Sequence, residues 1–211
     1  MADSTTLREL GRRERSKQDR LNRIKRAART LFVKHGYDAT TTRAIARSAK
    51  VGLGTIFRYV EDKSDLLILL FDEDHEQVTA EAFARVPPEG LLLDRLMAAF
   101  RSYYVYFARE PEFSRAVLRE VTFYVGPMRL DRSVKAGDQI TSRIERLIAD
   151  ARERGEIASD ESDSMIALLI FEIYQAECRR WLHETPPDVE HGLNALRRSL
   201  SLIDRGLKPA K

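Results

Sequence analysis

Apolar residues recur every three or four positions along nearly the whole chain, which is the spacing of amphipathic α-helices. Proline and glycine stand between these segments, and no segment alternates apolar and polar residues as a half-buried strand does. The pattern predicts an all-α fold with about nine helices. Their expected limits are 17–34, a short helix after 41, 53–59, 62–83, 91–108, 111–124, 130–154, 160 or 162 to 183, and 188–205. Gly36, Gly155 and Gly206 are expected to end the first, seventh and ninth helices.

The second and third of these helices are short and separated by a tight turn, an arrangement typical of a helix-turn-helix. A threonine hydroxyl at 40–41 is expected to accept a hydrogen bond from a free N–H at the start of the second helix. Gly52 and Gly54 carry no Cβ and permit close approach to a nucleic acid. Arg43 and Arg58 can each pair with a guanine edge or hold a phosphate, and the sequence leaves both roles open.

The charge distribution agrees with a basic DNA-binding part at the start of the chain. Residues 1–65 contain 16 Lys and Arg against 8 Asp and Glu, a balance of +8, whereas residues 66–211 contain 20 against 25, a balance of −5. A basic, solvated helix surface gives the same imbalance, so charge alone decides little. The single cysteine, Cys178, excludes an internal disulfide framework, and no apolar run reaches the length of a membrane span. We expect a cytoplasmic protein with no membrane partner.

The segment 18–70 resembles the DNA-binding domain of TetR-family transcriptional regulators. The resemblance rests on Gly36-Tyr37, Thr40-Thr41, Ile45-Ala46, Ala49, Val51, Gly54-Thr55, Tyr59 and Lys63. It implies a flexible basic arm over 1–17, a DNA-binding domain over 18–70 with its helix-turn-helix at 41–60, and a helical regulatory and dimerisation domain over 71–211. The DNA contacts that it implies are Thr42, Arg43, Gly52, Leu53, Gly54, Thr55, Phe57, Arg58, Tyr59 and Lys63.

Three positions depart from the family pattern. Lys50 replaces a usual glycine, so that either a lysine takes a left-handed conformation or the turn differs locally, and its charge offers a further phosphate contact. Gly52 and Phe57 each lack a hydroxyl that the family commonly has there, and Phe57 can belong to the core instead. The basic side chains of the arm can reach a minor groove or stay in solvent; they are Arg8, Arg12, Arg13, Arg15 and Lys17.

The middle helices are rich in aromatic residues, a composition that suits either a small-molecule cavity or an ordinary core. The polar residues His75, Glu120 and Glu172 lie on largely apolar segments and can orient a ligand or pair with an arginine such as Arg101 or Arg119. The candidate ligand-binding residues are Phe71, His75, Phe100, Tyr103, Tyr104, Phe107, Glu120, Phe123, Tyr124 and Glu172. An apolar or cationic effector is expected.

The last predicted helix carries a stripe of apolar residues with the 4, 3, 4, 3, 4 spacing of a helix–helix seam. Its members are Val189, Leu193, Leu196, Leu200, Ile203 and Leu207. The resemblance implies that the last two helices form a four-helix bundle with a second copy, and Val189, Leu193, Leu196, Leu200 and Ile203 are the predicted dimer interface. The alternative is that the stripe packs only inside its own chain.

These features predict a ligand-responsive, homodimeric repressor that binds a palindromic operator. The four histidines show no metal-ligand spacing, and no phosphate loop, nucleophile elbow or paired carboxylates appear, so no catalytic residue, metal or cofactor is expected. A ligand-independent DNA-binding or adaptor module with a filled core is the alternative. The sequence does not identify the effector, the operator or the regulated genes.

Overall fold

The computed structural model describes residues 11–123 and 127–208, without the side chains of residues 12, 13 and 123–136. This part of the chain forms nine α-helices and no strand, so the predicted all-α fold is confirmed. The helices are α1 Arg12–His35, α2 Thr42–Ser48, α3 Leu53–Ile56, α4 Lys63–Ala84, α5 Leu92–Arg109, α6 Pro111–Phe123, α7 Pro127–Glu153, α8 Asp163–Leu182 and α9 Val189–Leu207. None of the described helices is long and apolar enough to cross a membrane.

Four predicted helix limits differ from the structure by two residues or more, and one of them is the start of α7, at Pro127 instead of 130. Helix α1 begins at Arg12, because the polar residues that precede its buried face include several good helix formers. Helix α3 ends at Ile56, since the amide of Arg58 bonds back only three residues, to the carbonyl of Thr55, and the chain tightens into turns. Helix α9 continues through Gly206, and the carbonyl of Leu207 accepts a hydrogen bond from the amide of Ala158 at 2.8 Å.

The helices begin where side chains can satisfy their free N–H groups. The predicted threonine cap is confirmed: Thr41 Oγ1 accepts from the amide of Ala44 at 3.1 Å. Asp62 caps α4 by accepting from the Asp65 amide at 2.9 Å, and the Asp65 carboxylate accepts from the Glu61 amide at 2.7 Å. Ser162 and Asp188 cap α8 and α9 in the same manner.

The chain divides into two compact units, with the boundary between Phe71 and Asp72 inside α4. We call the unit that precedes the boundary the head and the one that follows it the body. In the head, α1 packs on α2 and α2 on α3. The fully buried side chains of the head include Ile24, Phe32, Ile45, Ile56, Leu66 and Leu67. In the body, α8 packs against α7 and α9, and α9 also packs against α5.

Candidate nucleic-acid interface and body core

The turn after α2 confirms that the lysine takes a left-handed conformation. The amide of Lys50 bonds to the carbonyl of Arg47 at 3.2 Å, and the amide of Val51 bonds to the carbonyl of Ala46 at 3.0 Å. This pair of bonds is the Schellman motif, in which the residue after the helix cap takes a positive φ. Lys50 occupies that position with a φ of 54°. It is a non-glycine residue in a backbone region that favours glycine.

Helix α3 follows directly and leaves its outer side open. Gly52 precedes α3 with extended backbone, and Thr55 bonds back to its carbonyl at 2.9 Å. A Cβ at Gly54 would meet nothing within 4 Å, so neighbouring protein atoms do not block an approach to this residue. Phe57 is 50% exposed, which contradicts the alternative that it belongs to the core. The buried side of α3 is formed by Ile56.

Two of the predicted DNA contacts are engaged inside the head. The hydroxyl of Tyr59 donates a hydrogen bond to the carbonyl of Lys17 on α1 at 3.1 Å. The ammonium of Lys63 donates to the carbonyl of Tyr37 at 2.7 Å and lies 4.1 Å from the centre of the Tyr37 ring. Both side chains therefore fix the start of α4 and the end of the helix-turn-helix to α1 and to the loop that follows it.

The remaining predicted contacts either lie on the surface or are partly covered. Arg43, Gly52, Gly54 and Arg58 are exposed, whereas Thr42, Leu53 and Thr55 are half-buried. Within the described ranges, the guanidinium groups of Arg43 and Arg58 have no hydrogen bond or ion pair. Cations without a protein partner, beside glycines and hydroxyls, are suited to phosphate oxygens. Contact with DNA at each of these residues stays a prediction. Of the predicted arm, Arg8 lies outside the described residues.

The body contains a cluster of packed aromatic rings. Phe100, Tyr103 and Tyr104 of α5 are fully buried, and all three contact Tyr174 of α8. The Phe100 and Tyr174 rings are stacked, with their centres 4.5 Å apart, and the Tyr104 ring lies 4.6 Å from that of Trp181. Most of the predicted aromatic ligand residues on α5 therefore contribute to a packed core.

Sequence reasoning missed the α8 side of this cluster. Phe171, Tyr174, Cys178 and Trp181 recur at intervals of three and four residues, so their spacing could have placed them on one helix face with the α5 aromatics. From the sequence, this helix was considered only as one of the last two helices, which the resemblance places in a four-helix bundle. Burial raises the pKa of the Cys178 thiol well above its usual value, which leaves it protonated and unreactive.

The predicted polar ligand residues differ in burial and in their neighbours. His75 is buried beside Tyr103, with ring centres 5.8 Å apart, and burial lowers its pKa to about 4, so that it is neutral near pH 7. Glu120 is half-buried and pairs with Arg119, with the guanidinium Nε 3.8 Å from its carboxylate, as one alternative had it. Glu172 is exposed. Arg101 pairs with Glu190 instead.

Four predicted ligand residues remain. Phe107 is buried in the body, and Phe71 is buried in the head. The Phe123 side chain and Tyr124 lie outside the described residues. A small, open and mainly apolar cleft lies between α5, α8 and α9, and none of the predicted ligand residues lines it. The ligand set therefore stays a prediction.

The predicted dimer stripe packs largely inside its own chain. Leu193, Leu196 and Leu200 are buried, and Val189 and Ile203 are half-buried. A side chain that is covered within its own chain has little area left for a partner. The large apolar side chains that are exposed in this region are others: Met165, Leu168, Leu169 and Leu202, with exposures of 46–65%.

Two protein-family models match the chain. The model of bacterial regulatory proteins of the tetR family matches residues 24–70, and the model of the tetracyclin repressor-like C-terminal domain matches residues 90–185. Together these matches cover more than half of the chain. The first includes α2 and α3, and the second includes most of the body. Regulators of this family are DNA-binding proteins without enzymatic activity.

Named relatives and solved structures agree with these matches. The repressor KstR of Rhodococcus jostii is 27% identical over 168 residues, which cover 79% of this chain and 74% of KstR. FadR of Thermus thermophilus, a TetR-family repressor solved in complex with lauroyl-CoA, has a TM-score of 0.73 at 24% identity, over 90% of this chain and 96% of that one. FadR of Bacillus subtilis, solved in complex with stearoyl-CoA, has a TM-score of 0.69 at 18% identity, over 85% of this chain and 97% of that one. This chain belongs to the TetR family of DNA-binding transcriptional regulators.

Proposed function

We propose that this regulator is a homodimeric repressor that binds a palindromic operator and is released from it by a small molecule with an apolar part. The observation that carries the proposal is the exposed side of the helix-turn-helix. There, Arg43 and Arg58 have no described protein partner, and Gly54 leaves the backbone open to close approach. A surface of this kind fits the edge and the phosphates of a major groove.

The predicted contacts divide by role. Arg43, Thr42 and Thr55 are proposed to hold phosphates, and Arg58 is proposed to hold a phosphate or to read a guanine. Leu53 and Phe57 supply apolar contact to base edges or sugars. Tyr59 and Lys63 contribute mainly by positioning α3, because both already bond within the head.

A dimer is proposed because one four-residue recognition helix reads few base pairs, and two copies related by a two-fold axis double the contact. The exposed apolar residues of α8 provide the surface. Leu168 and Leu169 lie three and four residues after Met165, and Leu202 adds an exposed leucine on α9. We therefore propose that the partner packs on this exposed face, with Leu193, Leu196 and Leu200 supporting it from inside.

The proposed effector class follows from the structural relatives. Both FadR proteins were solved with a long-chain acyl-CoA, so acyl-CoA thioesters are the first probes for this chain. An effector must bind the DNA-free form more tightly than the DNA-bound form, typically by about 1–3 kcal/mol. Helix α4 contains residues of both head and body, so it is the proposed lever between the two functions.

A ligand-independent regulator is the second candidate, and the packed aromatic cluster favours it. Phe100, Tyr103 and Tyr104 fill the space beside Tyr174 with one another's rings. In such a protein, the body serves dimerisation alone. Its DNA binding would not respond to any small molecule, although the head would bind in the same way.

One experiment tests both candidates. The full chain selects fragments from the genome that encodes it, and the bound fragments are sequenced. We expect an inverted repeat whose half-sites are spaced by about one helical turn or a multiple of it. Lauroyl-CoA and stearoyl-CoA are then titrated into the complex, with free coenzyme A as the control. Release by the thioesters but not by coenzyme A supports the first candidate, and unchanged binding supports the second. Absence of any selected sequence contradicts the proposed function.

A further inference from the structure

We propose that Arg47 and Lys50 extend the DNA contact of Arg43 into a phosphate-binding edge that runs along α2 and the turn after it. This inference rests on the proposed function, because it needs a head that binds DNA. It adds two residues that were not among the contacts implied by the family resemblance. It also gives a reason for the left-handed lysine.

The first observation is the surface of α2. Arg43 and Arg47 are four residues apart, and Lys50 follows in the Schellman turn. All three are exposed, and none has a hydrogen bond or ion pair from its side chain within the part of the chain that the structure describes. Like charges at this spacing repel one another on an isolated helix. An anionic partner that lies along the edge removes this repulsion.

The second observation is the backbone of Lys50. Helix α7 ends in the same motif, in which Gly155 bonds to the carbonyl of Arg152 and Glu156 bonds to that of Ala151, both at 2.9 Å. Gly155 has a φ of 74° and occupies the position that Lys50 occupies after α2. The same chain thus uses glycine at one helix end and lysine at the other. The left-handed region disfavours residues with a Cβ, so Lys50 carries a conformational cost that glycine would avoid.

Within the described part of the head, no hydrogen bond or ion pair of the Lys50 side chain offsets that cost. The Lys50 side chain touches no described partner, and the buried positions of α2 are Ile45 and Ala46. A cation near a helix C-terminus interacts favourably with the helix dipole, and this is the competing explanation. The two explanations differ in their consequences for DNA binding. Phosphate contacts act on every sequence and make binding depend on salt, whereas a dipole contact acts on folding alone.

The test compares four full-length proteins: wild type, Lys50→Gly, Arg47→Gln and the control Lys34→Gln. Lys34 is an exposed cation at the end of α1 and has no described partner. Two DNA probes are used: a duplex that the wild type has selected and a mixed-sequence duplex of the same length. Affinity is measured over a series of salt concentrations, and thermal unfolding is measured without DNA.

We expect each edge variant to lower the slope of log K against log salt by about 0.9 for each bound protomer. Affinity should fall by a similar factor, several-fold, for both duplexes. Lys50→Gly should also raise the unfolding midpoint by roughly 2–5 °C, because glycine relieves the left-handed backbone. Lys34→Gln should change the slope by much less.

Slopes that stay at the wild-type value in both edge variants overturn this inference and leave the proposed function intact. An equal loss of slope in Lys34→Gln also overturns it, because the effect would then belong to the general charge of the head. A wild-type protein that binds neither duplex overturns the proposed function itself. The two failures are therefore distinguishable.

Discussion

Tyr103 and Tyr104 are neighbours on α5, and both are fully buried, but their hydroxyl groups have different surroundings. The Tyr103 hydroxyl donates to Thr79 Oγ1 at 2.9 Å, and burial raises the pKa of this phenol to about 12. The Tyr104 hydroxyl has no hydrogen-bond partner among the described residues. A buried polar group without a partner destabilises the fold, whereas a bonded one contributes to it.

The two phenylalanine variants should therefore differ in sign. We expect Tyr103→Phe to lower the free energy of unfolding by about 1–2 kcal/mol, because it removes a bond and leaves the Thr79 hydroxyl unpaired. Tyr104→Phe should leave the free energy of unfolding unchanged or raise it by up to about 1 kcal/mol. Urea unfolding of the three proteins provides the measurement. Equal losses in the two variants would show that the Tyr104 hydroxyl has a partner after all.

Two glycines of α9 form a second matched pair. A Cβ at Gly192 would lie 2.5 Å from Trp181 Cδ1 and 2.6 Å from Tyr104 Cε1, whereas a Cβ at Gly206 would meet nothing within 4 Å. We expect Gly192→Ala to destabilise the body by about 1–3 kcal/mol through overpacking. Gly206→Ala should stabilise α9 by up to about 1 kcal/mol, because alanine is the better helix former. Thermal unfolding should move in opposite directions for the two variants.

Lys63 should prove important for the fold of the head before any DNA is present. Its ammonium bonds to the carbonyl of Tyr37 and lies over that ring. We expect Lys63→Met to lower the free energy of unfolding by about 1–3 kcal/mol. Lys34→Met, the control on an exposed cation, should change it by less than about 0.5 kcal/mol. Similar values for the two variants would contradict the anchoring role of Lys63.

The sequence was informative where local rules act. Helical spacing predicted all nine helices, and a threonine at 40–41 was recognised as a cap because a cap depends on residues only three positions away. The left-handed Lys50 was also among the alternatives, since the tight turn needs a positive φ at that position. These features are decided within one turn of helix.

The sequence was less informative where distant residues meet. The spacing of the α9 stripe is the same whether it faces a second copy or its own α5 and α8. The structure shows that Leu196 is fully buried within its own chain, which the spacing alone does not reveal. Similarly, no local pattern shows that Tyr59 bonds to Lys17, which lies 42 residues earlier. The aromatic composition of α5 predicted large apolar side chains, but packing against Tyr174 depends on the tertiary fold.

Asp150 should make the body sensitive to acid. Its carboxylate accepts hydrogen bonds from the guanidinium groups of Arg95, which is buried, and Arg154. The bond from Arg95 is the main reason that the pKa of Asp150 is lowered. Because the folded pKa is below the unfolded value of about 3.9, the stabilisation is present above that value. It is lost as the pH falls through the folded pKa.

We therefore expect Asp150→Asn to be less stable than the wild type at neutral pH, and the difference to shrink below about pH 4. Asp160→Asn is the control, since Asp160 is exposed and has no described partner. Urea midpoints measured between neutral and acidic pH check the prediction. A difference between wild type and Asp150→Asn that is constant with pH would contradict it.

The exposed face of α8 provides the test of the proposed dimer. Leu168 is 47% exposed, and a glutamate there should keep the helix intact because glutamate is a good helix former. In a dimer that buries this face, however, two unpaired carboxylates would enter an apolar interface. We expect Leu168→Glu to raise the dimer dissociation constant by roughly 100-fold or more, as measured by sedimentation.

Leu91→Glu is the control, at a leucine that is 55% exposed beside α5, and it should leave the association unchanged. Loss of the dimer should also lower the affinity for the operator in Leu168→Glu but not in Leu91→Glu, because a monomer contacts only one half-site. If Leu168→Glu remains as tightly dimeric as the wild type, the partner does not pack on this face.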